Sequence, residues 1–121
     1  MSAVWNLLLY RRAAALADEV HAASAEWGAF DRWTIGVQLV RAADSVGANI
    51  AEAFGRWSRR DQRRLLYVAR GSTYETIHWL ERATARGLAL PAGAVAEASE
   101  LSRMLNGLIT THRTQALSTK H

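Results

Sequence analysis

Around residues 32–56 the apolar positions Ile35, Leu39, Ala42, Val46, Ile50, Ala53 and Trp57 recur at steps of four, three, four, four, three and four. That spacing is the single apolar stripe of an amphipathic helix. Leu8, Leu9, Arg12, Ala15, Leu16 and Val20 keep the same rhythm and predict an earlier helix over 4–26, which Trp27, Gly28 and Ala29 end. Ser58 and Asp61 then stand in an S-x-x-D arrangement. The hydroxyl can accept from an orphan amide while the acid sits in the positively polarised first turn, so a third helix is predicted over 59–86. Its ridges are Leu65, Val68, Ser72, Thr76, Trp79 and Ala83 beside Leu66, Ala69, Thr73, Ile77 and Leu80, and Gly87 supplies its stop. Pro91 is expected to open a fourth helix over 92–113, carried by Val95, Ala98, Leu101, Leu105, Leu108 and Ile109. No stretch alternates like a strand. Four helices joined by short loops predict an all-α, antiparallel up-down four-helix bundle, with one domain over 1–113 and a flexible tail over 114–121.

Composition agrees with that picture and removes other classes. The chain has 121 residues, half of them hydrophobic and a single proline, which fits one buried core rather than a disordered chain. It has no cysteine, so disulfide frameworks, thiolate zinc sites and cysteine nucleophiles are excluded. No apolar run approaches the roughly 20 residues that span a bilayer. The start, MSAVWNLLLYRR, has no basic region before its apolar stretch and no small-residue cleavage site after it, and a cytoplasmic location is expected.

Beside the apolar stripe of the second helix runs a polar one, Gln38, Arg41, Ser45, Asn49, Glu52 and Arg56, at steps of three, four, four, three and four. Such a row can be a solvated face. Ser and Asn, however, are poor interior helix formers, and an exposed face is more naturally filled with Glu, Lys, Gln or Arg. The alternative is a partly buried network in which Gln38, Arg41, Ser45, Asn49 and Glu52 meet Ser72 and Glu75 of the third helix, within the protomer or across a subunit contact. Gly71, in mid-helix beside Ser72, implies a close neighbour, for which Gly47 and Ala48 are the candidates.

At these residues the chain resembles a known family. "QLVRAADSVGANIAEAFGR" followed by "YVARGSTYE" is similar to the four-helix-bundle proteins named for the intervening sequences of 23S rRNA. Gln38, Arg41, Ala42, Ser45, Asn49, Ile50, Ala51, Glu52, Arg56, Ser58, Ala69, Gly71, Ser72 and Glu75 fall on that family's pattern in register, and Ala53 stands where the family usually has Gly. The resemblance implies a bundle related to the accessory variability determinants of diversity-generating retroelements. Those form homopentameric barrels with a basic surface and associate with a reverse transcriptase and nucleic acid. It therefore implies a homopentamer here, and it brings no settled molecular activity.

Candidate chemistry points away from an enzyme. Glu75 and His78 form half of a carboxylate di-iron motif, but Glu97 and Glu100 are followed three residues later by Glu100 and Arg103, so the second Glu-x-x-His is missing. No metal and no cofactor are expected. Ser45 and Ser72 have no histidine on the matching face of either helix, and with no strand there is no glycine-rich phosphate loop.

Charge is more informative. The formal charge is +4 and Lys120 is the only lysine. Arg56, Arg59, Arg60, Arg63, Arg64 and Arg70 crowd into fifteen residues in which Asp61 is the only acid before Glu75. Arg60, Arg63, Tyr67, Arg70 and Tyr74 share one helical face, a mixture suited to phosphate contact and base stacking on RNA or single-stranded DNA. Arg56, Arg59, Arg60, Arg63, Arg64, Tyr67 and Arg70 are therefore the candidate nucleic-acid contacts, and Trp57 is expected to plug the helix junction. Two classes remain: a nucleic-acid-binding accessory scaffold, or a protein-directed adaptor that binds no nucleic acid.

Overall fold

Trp27 closes the first turn of the tertiary structure. In the computed structural model, which describes residues 3–118 with side chains given for 3–114, α1 runs over Ala3–Ala25. Trp27 is buried behind its end, and its indole Nε1 donates to the Ala89 carbonyl at 2.8 Å. That bond ties the first interhelical turn to the loop between the third and fourth helices.

The second helix, α2, spans residues 29–55 and begins earlier than the apolar stripe indicated. It opens with Ala29–Asp31, passes through a π turn at Arg32–Gly36 and continues as regular α-helix over Val37–Gly55. The π turn lies where the helix presses on α1. A Cβ on Gly36 would stand 3.3 Å from the Asp31 carbonyl oxygen, 3.6 Å from Ser24 Cβ and 3.7 Å from the Trp27 ring. Glycine thus permits the approach.

The third helix, α3, spans Arg59–Ala85, and Ser58 caps it as expected, its Oγ accepting from the Asp61 amide at 3.4 Å. At the far end Gly87 has φ 74°, with Gly87 N–H bonded to the Thr84 carbonyl and Leu88 N–H to that of Ala83, each at 3.0 Å. These paired bonds form a Schellman stop, for which glycine suits the left-handed position. The fourth helix, α4, spans Ala94–Ser118. Pro91 does not open it. Gly93, at φ 75°, interrupts the helical path, and the Pro91 carbonyl instead accepts from Ala94 N–H in a turn. At the other end α4 runs past the boundary expected at 113, so 114–118 of the expected tail is helical and 119–121 lies outside the described residues.

Every element among the described residues is helical. α2 packs on α1 and α3, α3 packs on α4, and α4 closes against α1. Leu9 and Val20, Leu39 and Ile50, Leu66 and Leu80, and Leu101 and Leu105 bring the four helices into one buried core. Across its edge the half-buried Arg12 of α1 pairs with Glu97 of α4. No helix among the described residues is long and apolar enough to cross a membrane.

Candidate nucleic-acid interface

Up-down topology puts the start of α1, the end of α2, the start of α3 and the end of α4 at one end of the bundle. α2 stops at Gly55, and Arg56 turns extended at φ −84°, ψ 142°. This break rotates Trp57 out of the apolar stripe. Its side chain is 99 % exposed, so it is no plug, and its indole faces solvent between the arginines.

Arg59, Arg60 and Arg64 are exposed and Arg63 is half-buried, all in the first two turns of α3. Arg60, Asp61, Arg63, Arg64, Tyr67 and Val68 line a shallow groove there. Arg64 approaches Asp61 only to 4.0 Å, and Arg56 pairs with Glu52 at 2.5 Å on the surface. The amino-terminal end of α3, where the helix dipole is positive, adds to the same surface.

Arg70 and Tyr67 have other occupations. The Arg70 guanidinium lies 4.9 Å from the Tyr67 ring centroid and 5.9 Å from that of Tyr74, and its Nη1 donates to Asn106 Oδ1 at 2.9 Å. Hydrogen bonds to Ser102 and then Asn106 hold the Tyr74 hydroxyl below its usual pKa. The interleaved face is thus folded onto α4 as an Arg–Tyr clasp. Arg70 serves that clasp, and one face of Tyr67 is covered by it.

The polar stripe divides into an inner and an outer part. Ser45 Oγ meets Ser72 Oγ at 2.9 Å, and Asn49 Nδ2 donates to the Ser45 carbonyl at 2.8 Å and to Ser45 Oγ at 3.0 Å. Ser72 is 8 % exposed, so this α2–α3 link sits at the core edge. Gln38, Arg41, Glu52 and Glu75 stay outside it, exposed. Glu52 is taken by Arg56, while Glu75 accepts from the Trp79 indole at 3.4 Å. His78 packs edge-on against Trp79 with ring centroids 4.7 Å apart, away from any carboxylate cluster. Among the described residues no group of three or more metal-ligating side chains converges.

Gly71 and Gly47 do not face one another. Gly47 is buried against α1, where a Cβ would stand 3.7 Å from the Tyr10 ring, whereas Gly71 is exposed with nothing within 4 Å. Ala48 is exposed as well.

Two features escape the sequence patterns. Gln62 of α3 and His112 of α4 are joined at 2.9 Å beneath the arginines. Burial, followed by the positive charges of Arg59 and Arg63, holds the His112 imidazole below its ordinary pKa. At the opposite end Phe30 and Trp33 stand 81 % and 71 % exposed, with the Arg32 guanidinium 6.0 Å from the Trp33 ring centroid. The Gln62–His112 contact is assembled by tertiary structure from residues 50 apart, whereas Phe30, Arg32 and Trp33 are close in sequence and only their exposure is set by the fold.

Comparison with known proteins places the chain. No curated protein matches it. A solved structure described as a protein of unknown function from the S23 ribosomal protein family of Bacteroides thetaiotaomicron superposes with a TM-score of 0.80. It is 21 % identical, and the match covers 88 % of this chain and 98 % of that one, so the two share the bundle. The family model described as 23S rRNA-intervening sequence protein matches residues 5–107, which reaches into all four helices and includes the arginine run of α3. On that match the chain belongs to the 23S rRNA-intervening sequence protein family.

Proposed function

We propose that this protein is a non-enzymatic, oligomeric scaffold whose arginine-rich bundle end binds RNA or single-stranded DNA. The observation that carries the reading is the run of Arg59, Arg60, Arg63 and Arg64 over the first two turns of α3, with Trp57 fully exposed just before it and Asp61 the one acid within it. A bundle has no need of that charge density for folding. Surface ion pairs return only about 0 to 1 kcal/mol each, so clustered arginines repel one another until an anionic partner neutralises them. Guanidinium groups contact phosphates, the indole stacks on a base, and such contacts position a strand without reading its sequence.

Assembly of several copies, a homopentamer as the resemblance implies, extends the reading. Exposed Gly71 supports it, because mid-helix glycine costs about 1 kcal/mol relative to alanine and nothing within the protomer approaches it. Arg41, Glu52 and Glu75 lie exposed on the same two helices and offer both signs of charge. Five copies would turn a protomer charge of +4 into 5 × 4 = +20. Light scattering in dilute solution tests assembly, and a mass near 13.4 kDa refutes it.

Filter binding of labelled RNA and DNA over a salt series tests the main reading. Binding to Z phosphates weakens with a log-log slope of about −0.7Z to −0.9Z. No binding at low salt would favour the second reading, a protein adaptor, to which the exposed Phe30 and Trp33 are suited.

A further inference from the structure

At the end of the bundle away from the arginine run, the last turns of α1 and the first of α2 enclose an open groove of about 260 Å³. The π turn at Arg32–Gly36 shapes its α2 side, and such turns are rare and frequent at functional sites. Gly36, within that turn, lets α2 close on Ser24 of α1. Val37 and Val40, half-buried, and Trp33, 71 % exposed, give the groove an apolar lining. Sites that enclose whole small ligands run from roughly 300 to 1,000 Å³, so this one is of a size for a single large side chain. His21, Arg32 and Arg41 add the charge. No acid lines the groove, and among the described residues neither arginine forms an ion pair. Glu26 and Asp31, on either side of the interhelical turn, pair with neither of them. Beyond the groove, Phe30 continues the apolar surface at 81 % exposure.

Exposed aromatic rings beside arginine are the side chains in which protein–protein interfaces are enriched, and the unpaired positive charge asks for an acidic partner. A second copy docked through the same face would set these arginines against their own images. A phosphate backbone gains nothing from half-buried valines. We infer that this groove docks an acidic segment of another protein. One large apolar side chain of the segment lies against Trp33, Val37 and Val40, and flanking Asp or Glu carboxylates pair with Arg32 and Arg41, whose planar guanidinium groups suit bidentate contact. The inference gives the adaptor reading its partner class, and it holds whether or not the arginine-rich end binds nucleic acid. The rise of α2 puts the two ends roughly 30 Å apart, so both can be occupied at once.

The test selects a displayed library of random peptides on the full chain, then titrates the most enriched ones, as synthetic peptides, into protein with nitrogen-labelled tryptophan. The expected peptides carry Asp or Glu beside one large apolar residue, shift the Trp33 indole signal and leave that of Trp57 in place. Trp33→Ser, and Arg32→Gln with Arg41→Gln, change exposed side chains and are checked for helicity; each is expected to weaken that binding about tenfold or more. Replacing Arg59, Arg60, Arg63 and Arg64 together by glutamine, at the distant end, is expected to leave it within about twofold. The inference is overturned if no peptide is enriched, if the enriched peptides lack acids, if they move Trp57 alone, or if either folded groove variant binds them as tightly as the wild type. A Trp33 signal that moves instead with mixed-sequence RNA makes the groove a second nucleic-acid surface, and a light-scattering mass that falls in Trp33→Ser assigns it to a second copy; either result overturns the inference too. Failure of RNA to bind at the arginine-rich end leaves all of these outcomes unchanged.

Discussion

Replacing Ser45 and Ser72 by alanine, singly and together, measures what the inner polar link does. Their hydroxyls are 2.9 Å apart, and Ser45 Oγ also accepts from Asn49 at 3.0 Å. Ser72→Ala deprives the Ser45 hydroxyl of its cross-helix partner at the core edge, a loss of about 1 to 2 kcal/mol. Ser45→Ala leaves the Ser72 hydroxyl orphaned at 8 % exposure and removes one of the two acceptors of Asn49, for a similar loss. In the double variant no hydroxyl remains to be satisfied, and alanine gains a few tenths of a kcal/mol per site from its helix propensity. The double variant should therefore be less destabilised than the sum of the singles by about 1 kcal/mol. Urea unfolding followed by circular dichroism, at one fixed protein concentration because assembly raises apparent stability, reads this as a midpoint shift of about 0.3 to 1 M. Losses that add to within about 0.3 kcal/mol would mean that the two hydroxyls are solvated independently, and the link would be refuted.

Other outcomes follow from the same structure. The His112 imidazole titrates below its ordinary value, so the unfolded chain takes up the proton first: the stability it contributes is complete above about pH 6.5 and is lost as pH falls through the folded value. His112→Phe should flatten that part of the urea-midpoint profile, and an unchanged slope would contradict the assignment. Gly36→Ala should lower the midpoint, because its Cβ meets the Asp31 carbonyl at 3.3 Å, whereas Gly71→Ala, in open space, should raise protomer stability by about 1 kcal/mol and weaken any assembly through that face. Trp57→Ala should alter stability by no more than about 0.5 kcal/mol, given 99 % exposure, yet reduce RNA affinity about tenfold through lost stacking.

The parts of the fold that sequence made legible were those coded locally. Three- and four-residue stepping located all four helices, Ser58 with Asp61 marked the start of α3, and Gly87 marked its end. Where a helix breaks, the code fails. Trp57 continues the α2 stripe only if the helix continues, and the extended Arg56 cancels that phase. The π turn depends on contact between Gly36, Ser24 and Trp27, and the late start of α4 on the left-handed Gly93, neither of which periodicity carries. At the candidate site the arginine run was visible as composition. The diversion of Arg70 to Asn106 was not, because the partner is 36 residues away on another helix. Nor was the Gln62–His112 contact, which joins α3 to α4 across 50 positions. Spacing exposed the inner link through Ser45, Asn49 and Ser72, but it extended the network to Gln38, Arg41, Glu52 and Glu75, which the protomer leaves at its surface.

The central claim is that the arginine-rich end is a working surface. Its most direct test replaces Arg59, Arg60, Arg63 and Arg64 together by glutamine, which keeps length and helix propensity while removing four charges. Once circular dichroism and light scattering show helicity and assembly unchanged, labelled RNA and single-stranded DNA are titrated against wild type and variant at several salt concentrations. The account predicts salt-sensitive wild-type binding with weak sequence preference, and a variant whose log-log salt slope is shallower by roughly 3 for each protomer engaged. A wild type that binds neither nucleic acid, or a variant with unchanged affinity and slope, would contradict it.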